Sequence, residues 1–198
     1  AQDANSVLHY LNEARDAFRE SPQPKAALFQ IYLQGRQQDD AIKMAEEWMK
    51  VDENNLDQRL WLIENVYRNN RDWAKMAEMS LQAIYVQPLD LKIHNYRAFA
   101  LRKLKQWDEA VFEYGMVRKL AAGTPEEALA IDVGGLLDIC ATWINAGDNV
   151  KAKAALDEAK ALDPKNQRIK TLEQELSGED GPEEDYDSVP EEELAPAK

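Results

Sequence analysis

Four stretches of the chain are variations on one another, and their spacing constrains the fold more than any single motif. Set in register, "RQQDDAIKMAEEWMKVDENN" (36–55), "RDWAKMAEMSLQAIYVQPLD" (71–90), "KQWDEAVFEYGMVRKLAAGT" (105–124) and "GDNVKAKAALDEAKALDPKN" (147–166) place Ala41, Met76, Ala110 and Ala152 in one column. The members of that column lie 35, 34 and 42 residues apart. Nine residues upstream of each, Tyr32, Tyr67, Leu101 and Trp143 form a second column. A period of this size marks stacked supersecondary units, each too small to bury its apolar face alone.

Both halves of each unit show apolar residues at three- and four-residue spacing, as in Leu136, Leu137, Ile139, Trp143 and Ile144. That is helical periodicity, and no segment shows the strict alternation of a strand, so each unit reads as helix, turn, helix. The fourth unit, with Leu136, Ile139, Cys140, Trp143, Gly147-Asp148, Ala152, Leu156, Ala159 and "LDPKN" at 162–166, resembles the tetratricopeptide repeat. The third keeps Ala98, Leu101, Trp107, "DEA" at 108–110 and Tyr114; the second keeps Ile63, Tyr67, "RDW" at 71–73, Ala83 and Pro88. Departures concentrate earlier: Phe29 and Glu64 stand in the small-residue column, Met76 in the second-helix alanine column, Arg97 at an apolar contact, and Glu53 and Ala122 at the closing proline. The resemblance implies an all-α, right-handed solenoid of units at about 22–55, 57–90, 91–124 and 133–166.

The flanks read as end caps. Residues 1–21 carry an N-terminal helix, with "ANSVLHYLNEARDAFRE" (4–20) running up to Ser21-Pro22, and "QRIKTLEQEL" (167–176) covers the last unit. Between units three and four stand eight extra residues, "PEEALAID" (125–132), preceded by Thr124. Thr124, Pro125 and Glu127 form a helix-start signature, so the next helix should begin two turns early, longer by roughly 12 Å. Gly134-Gly135 inside it implies a kink or a close backbone contact.

Charge is concentrated at one end. Residues 179–198 hold nine carboxylates and one lysine, which leaves −5 of the net −13 to the rest of the chain. Segment 178–198, "GEDGPEEDYDSVPEEELAPAK", is too polar to offset its ordering entropy and is expected to be a flexible acidic tail. No apolar run approaches the ~20 residues of a membrane span, so no membrane insertion is expected. A single cysteine, Cys140, excludes an internal disulfide framework. A chain opening on Ala1 fits a cytoplasmic, a periplasmic or a mature secreted protein, or a piece of a larger one.

Reactive chemistry has little to draw on. His9 and His94 are the only histidines, without HExxH or a second histidine at helical spacing. His94 stands in a packing column and Cys140 in the small-residue column, both structural positions. Phosphate-binding glycine loops and CxxC pairs are absent from the sequence. Adjacent carboxylates such as Asp39-Asp40, Glu46-Glu47 and Asp108-Glu109 diverge by about 100° on a helix and do not converge on one substrate. "KQWDEAVFEY" (105–114), which juxtaposes Trp107 with two carboxylates, therefore reads as a turn and helix start. No enzyme activity, cofactor or metal is expected, and the acidic balance disfavours nucleic acid.

The resemblance implies a working surface on the concave face, lined by the first helix of each unit. Its groove columns carry over to Ala26, Gln30, Leu33 and Gln34; to Trp61, Asn65, Arg68 and Asn69; to Asn95, Phe99, Arg102 and Lys103; and to Leu137, Ala141, Ile144 and Asn145. Trp61 and Phe99 would anchor, the asparagines would pair with a peptide backbone, and Arg68, Arg102 and Lys103 would attract carboxylates. For each residue the plainer reading is a solvated helix face. The lysine-asparagine clamp of one chaperone-binding subfamily is missing, since Ala26 and Gln30 stand where it would begin. The expected function is a scaffold or adaptor that binds a peptide or partner helix, acidic in character, with the chain's own tail at 183–193 as one such ligand in cis or in trans. Two alternatives are an accessory region of a larger bacterial enzyme, such as a protease, or assembly complex, and a self-assembling structural scaffold of unspecified oligomeric state.

Overall fold

The computed structural model describes residues 2–178, with side chains from Ser6 onward. Ten α-helices and no strand occupy the described residues: α1 (Gln2–Ala17), α2 (Pro22–Gln34), α3 (Gln38–Val51), α4 (Leu56–Leu62), α5 (Trp73–Val86), α6 (Leu91–Lys103), α7 (Trp107–Lys119), α8 (Pro125–Ala146), α9 (Asn149–Leu162) and α10 (Gln167–Ser177). The first and second helix positions of the units expected from the sequence are taken by α2 and α3, α4 and α5, α6 and α7, and α8 and α9. The acidic segment 179–198 lies outside the described residues.

Each hairpin closes by the same device. In all four turns one residue adopts a left-handed backbone: Arg36 (φ 55°), Arg71 (φ 55°), Lys105 (φ 61°) and Gly147 (φ 78°). The residue after it donates its N–H back to the aromatic-or-leucine column. These bonds are Gln37 to Tyr32 at 2.9 Å, Asp72 to Tyr67 at 2.8 Å, Gln106 to Leu101 at 2.9 Å and Asp148 to Trp143 at 2.9 Å. This is the six-to-one bond of a Schellman turn, which satisfies a carbonyl the helix end would otherwise orphan. The left-handed residues lie 35, 34 and 42 residues apart, the spacings of the alanine column, so the repeat is a backbone repeat as well as a side-chain one.

Joints between units use polar caps. Asn55 accepts from the Gln58 N–H at 3.1 Å, Asp90 from Lys92 and Ile93 at 2.9 and 3.3 Å, and Asn166 from Arg168 at 3.1 Å. At α8 the Thr124 hydroxyl accepts from Glu127 N–H at 3.2 Å and the Glu127 carboxylate accepts from Thr124 N–H at 2.8 Å, a reciprocal capping box. The helix therefore starts two turns early, as its sequence predicts, and runs for 22 residues.

One departure from regular helix was not legible in the sequence. After Leu62 the backbone continues as a π-helical turn over Ile63–Tyr67, with the Arg68 N–H reaching the Ile63 carbonyl at 3.1 Å. A helix widened in this way loses its i→i+4 pairing locally. The Asn65 amide donates to the Trp61 carbonyl at 3.0 Å and the Asn69 amide to the Asn65 carbonyl at 3.0 Å.

The described residues divide into two compact units, one running to Asp72 with Tyr85–Gln87, the other comprising Trp73–Ile84 and the described residues from Pro88 onward. In the first, Leu28, Met44, Leu62 and Ile63 are fully buried. Phe29, standing where the repeat calls for a small residue, is enclosed edge-on by Trp48 and Trp61 at 6.2 and 5.0 Å between ring centroids. In the second, Val133, Leu136, Cys140, Ala152, Leu156, Ala159, Ile169 and Leu172 form one core joining α8, α9 and α10. Gly135 resolves the double-glycine expectation in favour of close contact: a Cβ there would stand 2.5 Å from Arg118 Cγ. Arg118 lies across it to bond Asp132 and Glu158, each at 2.6 Å, tying α7 to α8 and α9.

Candidate functional site

The groove columns divide sharply by exposure. Gln30, Gln34, Asn65, Asn69 and Asn145 are exposed, while Trp61, Arg68, Asn95 and Lys103 are half-buried. Trp61 leans one ring edge on Phe29 and keeps part of its surface open. The amide of Asn145, like those of Asn65 and Asn69, donates to the carbonyl four residues before it, at 2.9 Å from Ala141 O. This back-bonding holds each side chain against its own backbone, on α8 for Asn145 and at the π-turn and the turn after it for Asn65 and Asn69.

Four expected groove residues belong instead to the interior. Phe99 is 2% exposed and packs edge-on against Trp73 at 5.5 Å, so it offers no anchor to a partner. Arg102, 6% exposed, lays its guanidinium 5.5 Å from the Phe99 ring and 5.9 Å from the Tyr114 ring. A cation held over two buried rings gains from their negative faces and is not presented to an external carboxylate. Lys103 also reaches Phe99, at 5.4 Å. In the fourth unit Leu137 and Ala141 join the core that Ile169 and Leu172 of α10 complete. Repeat position alone could not show this, because the cap helix supplies their cover.

The two candidates for reactivity are committed elsewhere. His94 is buried, with Nδ1 2.5 Å from Glu113 Oε2 and Nε2 2.9 Å from the Pro88 carbonyl oxygen. Both ring nitrogens thus face acceptors, which favours the imidazolium. The Glu113 hydrogen bond raises the His94 pKa above its usual value against the opposing effect of burial. Arg97 pairs with the other Glu113 oxygen, so the departure at position 97 is compensated by a carboxylate on the facing helix. Cys140 is completely enclosed, and burial pushes its thiol up to about 12. A thiol in that state is not a nucleophile at neutral pH. Among the described residues no group of three or more His, Cys, Asp or Glu side chains could hold a metal ion, and no helix is long and apolar enough to cross a membrane.

Trp107 is the half-buried first residue of α7, with Asp108 and Glu109 exposed in its first turn. They sit where carboxylates favour the helix dipole.

No protein-family model matches the chain, and no curated protein does. Solved structures do. YrrB, described as a TPR protein with an unusual peptide-binding site, superposes with a TM-score of 0.61 at 14% identity, covering 87% of this chain and 84% of its own. The MamA protein superposes with a TM-score of 0.54 at 12% identity, covering 83% of this chain and 85% of its own. With the recurring Schellman turns and the helical period, these likenesses show that the chain has the fold of tetratricopeptide-repeat proteins, an all-α succession of helical hairpins.

Proposed function

We propose that the chain is a protein-interaction module that holds an extended peptide or a partner helix against the first helices of its first two repeats, α2 and α4. The observation that carries the reading is the exposed amide pair Asn65 and Asn69, one in the π-turn that follows α4 and the other in the turn after it, beside half-buried Trp61. Side-chain amides both donate and accept, so an ordered row of them can satisfy the backbone of a peptide without demanding its sequence. Trp61 supplies apolar area at small entropic cost. Gln30 and Gln34 occupy the equivalent positions of the preceding repeat, both exposed. The likeness to YrrB, a protein described by its peptide-binding site, favours the same use here.

The test is a peptide-display selection against the whole chain, followed by titration of the selected peptides. Asn65→Ala with Asn69→Ala should weaken the best binders at least tenfold while leaving the far-ultraviolet circular dichroism unchanged. A selection that yields no binder, or binders indifferent to both substitutions, would refute the assignment.

A further inference from the structure

The first repeat carries a buried cation where its counterpart in the third carries a complete ion pair. Lys25 and His94 occupy the same register position, and each reaches the carbonyl six residues before it: Lys25 Nζ donates to Arg19 O at 2.6 Å, His94 Nε2 to Pro88 O at 2.9 Å. Nineteen residues after His94 stands its carboxylate, Glu113; nineteen after Lys25 stands Met44, equally buried. Lys25, 4% exposed, gives a second proton to Ser21 O at 3.0 Å and none to a carboxylate. A buried ammonium served only by neutral carbonyls is left without a counter-charge.

Lys25 lines a cavity of about 310 Å³ at the end of α1, the start of α2 and the end of α3, together with Arg15, Arg19 and Lys50 against Asp16 and Glu47. Arg15 is committed to Asp16, with Nε and one terminal nitrogen both 2.9 Å from the same carboxylate oxygen. Arg19 also acts on the Asp16 carboxylate and Arg15 on that of Glu47, so the lining as a whole sets four cations against two carboxylates. The carbonyl ends of α1 and α3 contribute about half a negative charge each, which leaves roughly one positive charge in surplus. That surplus is local, in a chain whose net charge is −13.

We propose that this cavity is a binding site for the carboxylate side chains of an acidic peptide segment, separate from the amide-bearing helix faces described above. The overall negative charge opposes a long polyanion, whereas a short segment brings its carboxylates to the one place that lacks them. Phe18, 65% exposed and beside Arg19 in sequence, offers an apolar neighbour to such a segment. The chain itself contains a segment of this chemistry, "EEDYDSVPEEE" at 183–193, with seven carboxylates and Tyr186; an acidic segment of another protein has the same chemistry.

A fluorescent peptide of residues 181–193 is titrated into the full chain and its variants, read by anisotropy. Arg19→Glu with Lys50→Glu alters two exposed residues and spares buried Lys25, whose substitution could unfold the repeat. This pair should weaken binding at least tenfold, and Lys165→Glu with Lys170→Glu, an equal change of charge at exposed positions far along the chain, less than twofold. Equal losses from the two pairs would overturn the proposal, as would binding of inorganic phosphate without binding of the peptide. The full chain with Glu191→Gln, Glu192→Gln and Glu193→Gln separates the sources. Peptide binding several-fold tighter to this variant than to the unmodified chain supports the site with the chain's own tail as occupant, and equal binding supports it for an external segment. No peptide binding to either overturns it.

Discussion

His94 Nδ1 lies 2.5 Å from Glu113 Oε2, across the interior between α6 and α7. This is a charged pair in the body of a repeat; the equivalent positions hold Leu60 with Met79 and Leu136 with Ala155, and in the first repeat Lys25 with Met44. Because the folded pKa of His94 is raised, chiefly by this bond, the folded state holds the imidazole proton more tightly than the unfolded chain does. The resulting stability is complete below the unfolded value of about 6.5 and is lost as pH rises through the folded value. Urea unfolding at pH 6 and pH 9 should show the chain less stable at the higher pH, by about 1.4 kcal/mol for each unit of elevation. His94→Gln should flatten that dependence. Glu113→Gln, which leaves His94 and Arg97 facing no carboxylate, should cost about 3 kcal/mol at pH 6.

The hairpin turns predict opposite effects for opposite substitutions. Lys105 is an exposed L-residue in the left-handed region, a conformation that costs such residues about 1 kcal/mol and glycine almost nothing. Lys105→Gly should raise the unfolding free energy by about 0.5 kcal/mol once the greater freedom of the unfolded glycine is counted. Gly147→Ala, at the equivalent turn, should lower it by about 1 kcal/mol although no atom would crowd the new methyl. Denaturant midpoints of the two variants would settle both signs.

Two helical glycines separate propensity from packing. A Cβ at Gly115 would meet nothing within 4 Å, so Gly115→Ala should stabilise α7 by about 0.8 kcal/mol. At Gly135 the same methyl would stand 2.5 Å from Arg118 Cγ and 3.3 Å from Cδ. Relieving that contact moves the stem of Arg118 away from its bonds to Asp132 and Glu158. Gly135→Ala should therefore destabilise by about 1 kcal/mol, since overpacking outweighs the helix-forming gain. Thermal melts of the pair would show shifts of opposite sign.

Cys140 should be inert to alkylation in the native protein. Its thiol is fully enclosed and pushed up to about 12 by burial. N-ethylmaleimide at pH 7.5 should add no mass to the folded chain within an hour and one adduct in 6 M urea. Rapid native labelling would mean that the α8–α10 core opens far more readily than its packing implies.

The repeat register was legible because it rests on side-chain volume: Ala98 and Cys140 stand in a column where two helices approach, and Thr124 with Glu127 announces its helix chemically. What escaped was decided by partners distant in sequence. His94 looked like a packing residue and is one, but Glu113 nineteen residues on also makes it an ion-pair member. Phe99, Arg102, Leu137 and Ala141 sit at groove-facing register positions, yet Trp73, Tyr114 and the cap helix α10 enclose them. The π-turn at Ile63–Tyr67 has no compositional signature, because a single displaced hydrogen bond leaves apolar spacing almost unchanged. Left-handed Arg36, Arg71 and Lys105 were hidden for the opposite reason. The backbone imposes their conformation against the preference of the residues it uses.

The eight residues that lengthen α8 all precede Val133, the first buried residue of that helix. Inserted within a helix, eight residues would rotate everything beyond them by about 80° and turn the apolar stripe away from its neighbours. Added at the leading end, they leave the azimuth of Leu136, Cys140 and Trp143 where the repeat needs it. Length can therefore change at the joints between hairpins without a compensating mutation elsewhere, whereas the turn inside each hairpin, fixed by its six-to-one bond, admits no such drift.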